Sequence, residues 1–172
     1  MRVIVRRMDP LLSIRPLLAY SDEMNRTLLD AAAPLTGEQL DRHFDMGMES
    51  LRKTLAHVLV AETVWLERWR GNAEVKWPPY ETTQSPADML AEFETLWPRR
   101  DAFLASPTPA QLGAELVYRD SKGSQFTATL HEMILQGIVH STHHRAQAVH
   151  MLRRVGGPFV EMDFMYAQRR EA

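Results

Sequence analysis

The stretch ATLHEMILQGIVHSTHHRAQAVHMLRRV, residues 128–155, decides the fold. Its seam reads Leu130, Ile134, Gly137, Ser141, His144, Ala148 and Met151, with spacings of four and three alternating. That is one face of an α-helix at about 3.6 residues per turn. Gly156-Gly157-Pro158 follows and should stop it, because glycine closes helices and proline cannot continue them.

Working outward, the same rhythm recurs over residues 49–70. There the seam is Leu51, Leu55, Val58, Glu62, Trp65 and Trp69, closed by Gly71. A third helical segment spans residues 13–33, with Leu17, Leu18, Met24, Leu28 and Leu29 as its apolar stripe. Pro16 falls in its first turn, where a missing N–H costs little, and Pro34 closes it. Ser13 or Asp9 could cap it. A fourth opens at Ser85-Pro86-Ala87-Asp88 and runs to about residue 105, and Pro98 predicts a kink or a split within it. The linker over residues 72–84 carries Pro78 and Pro79 and reads as irregular. Residues 116–119 and 124–127 read as two short strands about the turn Asp120-Ser121-Lys122-Gly123. The expectation is an all-α four-helix bundle, in one domain over residues 1–172 with a core at about 13–166. A short two-stranded insertion precedes its last helix.

Composition narrows the chemistry. The 172 residues contain no cysteine, which excludes disulfides, a thiolate nucleophile and every sulfur-built zinc site. Twenty Lys+Arg against 22 Asp+Glu give a formal charge of −2, so nothing global favours nucleic acid or an anionic membrane. No stretch approaches the roughly 20 apolar residues of a membrane-spanning helix. Met1–Arg7 is basic, but Val3–Val5 is too short for the apolar region of a signal peptide. A cytoplasmic protein is the resulting expectation.

Histidine is the unusual residue: seven in all, five of them within residues 131–150. His140 and His144 stand four apart on the last helix, so both project from one face about a turn apart, as two ligands of one metal must. Gly137, Ser141 and Ala148 pare the seam beside them and leave room. His57, next to Val58 on the second seam, offers a third imidazole. Three histidines from two helices would form a facial set with open positions. The competing reading is a core histidine hydrogen-bonded to a carboxylate or carbonyl. His143 lies about 100° off the seam and reads as a surface residue or a support behind the ligands. His131 and His150 read as exposed or at a groove edge, and His43 carries no signal.

Glu62 occupies a seam position where an apolar residue is expected. It could support the metal or act as a general base. The favoured reading is a carboxylate at the bundle's end, solvated or paired with an arginine such as Arg145. Trp65, Trp69, Trp77 and Trp97 could line a pocket, but aromatic residues at helical spacing read first as core. Arg99-Arg100 and Arg169-Arg170 read as solvated charge.

These residues resemble a known family. The run Leu55-Ala56-His57-Val58-Leu59-Val60-Ala61-Glu62-Thr63-Val64-Trp65-Leu66 is similar to the helix-two signature of the DinB/YfiT-like proteins. His140-Ser141-Thr142-His143-His144-Arg145-Ala146-Gln147 resembles their H-x-T-H-H-R-G-Q signature. Tyr118-Arg119-Asp120 through Gly123 looks like their strand-turn insertion, and Asp163-Phe164-Met165-Tyr166 their C-terminal motif. Val139 stands where asparagine is frequent, Gln136 where a further histidine is often found, and Ala146 replaces a glycine.

The resemblance implies a four-helix bundle, commonly a homodimer, with a divalent metal held by His57, His140 and His144. Glu62, Ser141 and His143 are then candidates for supporting roles. Zinc or nickel is the first expectation, with iron, manganese or copper as alternatives. It also implies a metal-dependent transferase that uses a low-molecular-weight thiol on a small electrophile. A metal-dependent hydrolase, or a non-catalytic metal-containing stress protein, is the alternative. A chain without cysteine would have to import the thiol as a cofactor.

Overall fold

The computed structural model describes residues 11–78, 83–105 and 107–169. Its elements are α1 (Ile14–Ala32), α2 (Gly37–Asp41), α3 (Leu51–Trp69), α4 (Pro86–Phe103), α5 (Pro109–Leu112), β1 (Glu115–Arg119), β2 (Gln125–Thr129), α6 (Leu130–Arg154) and α7 (Phe164–Gln168). α1 packs on α4 and α6, and α3 packs on the same two helices, which closes a ring of four. This is the expected all-α four-helix bundle with a two-stranded insertion before its last long helix. Among the described residues no helix is long and apolar enough to cross a membrane.

The seams face inward as their spacing requires. Leu51, Leu55, Val58, Trp65 and Trp69 of α3 and Leu130, Ile134, Ala148 and Met151 of α6 are buried. They join Leu28 and Leu29 of α1 and Met89 and Phe93 of α4 in one apolar cluster. Burying a large aliphatic or aromatic side chain stabilises the fold by about 1.5–3 kcal/mol, before the cost of ordering it. α3 ends where the sequence says: Gly71 takes φ +86° and lets Asn72 N–H reach the Glu67 carbonyl at 3.1 Å.

Two features differ from the sequence reading. α4 runs unbroken through Pro98. Pro98 and Glu94 both lie on the exposed face, so the carbonyl that the proline leaves without an N–H is turned toward solvent. α6 begins at Leu130, two residues later than expected. The Thr129 side chain accepts from Glu132 N–H while Glu132 reaches back to Thr129 N–H, and this capping box holds Thr129 in an extended conformation that also completes β2. At α1 the N-cap is Ser13, without a side-chain hydrogen bond, and Asp9 lies outside the described residues.

The hairpin of β1 and β2 is antiparallel, with Tyr118 opposite Phe126 and Leu116 opposite Ala128. Asp120 Oδ1 closes its turn by accepting from Lys122 N–H and Ser124 N–H, each at 2.9 Å. β1 packs on α3 and β2 on α6, so the hairpin flanks the face those two helices share.

Candidate metal centre

Three imidazoles converge between α3 and α6. His57, His140 and His144 each offer one ligand atom, and those atoms all lie within 4.8 Å of one another. His57 Nε2 and His140 Nε2 are 3.3 Å apart. Two nitrogens each about 2.0–2.1 Å from one tetrahedral ion are separated by roughly 3.3 Å, so the spacing fits a shared metal. The rings pack at 4.3 Å (His57–His144), 4.5 Å (His140–His144) and 5.0 Å (His57–His140) between centroids. His57 is buried, while His140 and His144 are half-buried.

Electrostatics keep these rings neutral, the form a metal requires. Burial, with the neighbouring His144 and His140, pulls the His57 pKa down to about 4. Burial, then His144, His143 and Arg68, brings His140 down to about 4 as well. His144 is also lowered by burial, against the opposing hydrogen bond that it donates to Gln147.

Gln147 is the residue the sequence reading missed. His144 Nδ1–H donates to its Oε1 at 2.8 Å, which leaves His144 Nε2 free as a ligand. The Gln147 amide donates in turn to His143 Nε2 at 3.0 Å. His143 is thus exposed, as its angle off the seam predicts, and touches the cluster through Gln147. The H-x-T-H-H-R-A-Q run carried the signal, since Gln147 follows His144 by three and His143 by four, both helix-neighbour spacings.

Glu62 and Ser141 are joined to each other by a hydrogen bond. Glu62 Oε1 accepts from Asn25 Nδ2 at 2.9 Å and from Ser141 Oγ at 3.1 Å. It is half-buried, feels the charges of Arg100 and Arg145, and makes no hydrogen bond to Arg145, whose guanidinium donates to Ser21, Asn25 and Thr142. The about 140° between His57 and Glu62 on α3 turns the carboxylate toward α1 instead of toward the histidines. Burial raises its pKa, with the charge of Arg100 opposing.

The small residues of the α6 seam make room for tryptophan. A Cβ on Gly137 would meet the Trp69 ring at 3.1 Å and Trp65 at 3.9 Å. The narrow space beside them, lined by Glu62, Trp65, Trp69, Gly137 and Ser141, holds only about 20 Å³. A larger opening lies on the other side. Trp77 stacks on His57 with ring centroids 5.7 Å apart and planes 7° from parallel. The same indole lines an open groove of about 470 Å³, walled by Trp65, Arg68, Tyr118 and Met133. Trp65 and Trp77 thus line a pocket as well as filling space, whereas Trp97 packs on Phe93 and beneath Arg26. Of the remaining histidines, His131 is half-buried, and His43 and His150 are exposed.

Arg100 departs from its expected solvated role. It is 5% exposed and donates both guanidinium ends to Asp22, at 2.6 and 2.7 Å.

The DinB family model matches residues 9–171. In fold the chain is similar to the crystal structure of a DinB-like protein from Bacillus cereus ATCC 10987. The TM-score is 0.64 at 21% identity, over 84% of this chain and 91% of that one. No curated protein matches.

Proposed function

The chain belongs to the DinB family, and from that premise and the histidine cluster we propose a metal-dependent transferase that joins a low-molecular-weight thiol to a small electrophile. His57, His140 and His144 are the proposed ligands of a divalent ion, zinc or nickel first and iron, manganese or copper after them. The observation that carries the reading is the 3.3 Å between His57 Nε2 and His140 Nε2, beside a groove that reaches the cluster at Trp77.

Bound there, the metal would lower the pKa of a thiol or water in its open positions. The chain's own part is positional. Gln147 holds His144 in one tautomer, burial keeps the imidazoles unprotonated, and Trp65, Trp77 and Tyr118 offer the reactants an apolar wall. In the proposed transfer the thiol gives up its proton, a sulfur–carbon bond forms, and the leaving group departs with its bonding electron pair. With no cysteine in the chain, the thiol is a separate molecule. A homodimer belongs to the same proposal, supported by Leu135 and Val139 exposed on one face of α6 at 37% and 62%.

Metal-loaded protein incubated with a chromogenic aryl halide and several thiols tests the reaction. The expected result is thiol-dependent conjugation that disappears in His140→Ala. Release of halide without thiol would replace the transferase with a hydrolase, and metal binding without turnover would leave a non-catalytic bundle.

A further inference from the structure

Arg68 presents a buried charge that the metal centre does not use. The residue is only 3% exposed, on the face of α3 that meets the hairpin. Its guanidinium lies 4.7 Å from the Trp65 ring centroid, 5.4 Å from Tyr118 and 5.7 Å from Trp77. Nη2 donates to the Arg119 carbonyl, while Nε is buried with no hydrogen-bond partner. Among the described residues no carboxylate pairs with it, in contrast to Arg52, which holds Asp41, and Arg100, which holds Asp22.

Arginine cannot shed its proton, and a buried charge is costly without a counter-charge. Aromatic faces, one carbonyl and the charge of Asp120, which acts on Arg68 without forming an ion pair, supply only part of that compensation. The guanidinium also forms part of the wall of the 470 Å³ groove, together with apolar Trp65, Trp77 and Met133. Asp120 and Glu132 line the same groove and oppose any second negative charge.

We propose that this groove binds the carboxylate of a small monoanionic organic acid, with the carboxylate on Arg68 and an apolar body against Trp65, Trp77 and Tyr118. As the substrate class of the proposed transfer, the inference rests on the metal reading. As a binding site it does not, because Arg68 is present with or without a metal. Trp77, shared between the groove and His57, places the acid's other end toward the histidines.

Chelator-treated protein titrated with phenylacetate and with 2-phenylacetamide, read by tryptophan fluorescence and calorimetry, tests the site. Phenylacetate should bind at least roughly ten-fold more tightly than the amide, the difference a charge-assisted hydrogen bond provides. Arg68→Gln should abolish that preference, and Arg68→Lys should restore part of it. Asp120→Asn keeps the turn's acceptor oxygen and should tighten phenylacetate binding severalfold. Equal binding of acid and amide, no binding of either, or no gain in Asp120→Asn overturns the proposal, even if Arg68→Gln fails to fold. Loss of metal loading with phenylacetate binding intact would instead remove the metal reading alone.

Discussion

The Gln147 Oε1 atom lies 2.8 Å from Nδ1 of His144 and fixes which nitrogen of that imidazole faces the cluster. Removing such a partner costs a metal site about 10–100-fold in affinity, although the ligand itself is untouched. Gln147→Leu should therefore weaken zinc binding by about that factor with helical content unchanged, as measured by competition with a chromogenic chelator. Wild-type affinity in this variant would show that His144 needs no such support.

The loop before α3 reaches the same glutamine. Gly47 sits at φ +55°, and a Cβ there would meet Gln147 Oε1 at 2.5 Å. Gly47→Ala is strained by its backbone and pushes the amide off His144. The expected outcome is a loss of metal affinity smaller than that of Gln147→Leu, with no further loss in the double variant. Additive losses would place the two effects in separate structures.

The contrast between His144 and Gly47 shows what a linear reading reaches. His140 and His144 were legible because helix geometry alone aligns residues four apart, and His57 because it borders a seam. Gly47 was silent, since its role depends on a loop meeting α6 in three dimensions. α2 and α5 were missed because five and four residues are too short to show a helical period. Their capping boxes, Thr36 with Gln39 and Thr108 with Gln111, were nevertheless present as local signals. Gly137 read as vacant space because the Trp69 ring that fills it comes from another helix.

Glu62 should matter for stability more than for metal binding. Glu62→Leu leaves Asn25 Nδ2 and Ser141 Oγ without their acceptor and removes the counter-charge near Arg100 and Arg145. A loss of about 2–3 kcal/mol in urea unfolding is expected, with metal content unchanged. Glu62→Gln also removes the charge but retains an acceptor oxygen for Asn25 and Ser141, so it should lose less than Glu62→Leu, about 1 kcal/mol. Loss of bound metal in Glu62→Gln would return this carboxylate to the centre.

Protons should destabilise the metal-free fold in a defined window. His57 and His140 titrate near 4 in the folded chain and have an ordinary value of 6.5, so between these the unfolded chain binds more protons. Stability is then highest above about pH 6.5 and falls as pH drops toward 4. Chemical denaturation of chelator-treated protein across this range should show the decline, reduced in His57→Ala. An unchanged slope in that variant would assign the pH dependence to other groups.

The central claim is that three imidazoles from α3 and α6 hold one metal ion. Elemental analysis of protein loaded with zinc or nickel and then desalted tests it most directly, comparing wild type with the His57→Ala/His144→Ala double variant. The account predicts about one ion per wild-type chain and almost none in the folded double variant. Equal metal in both would contradict it.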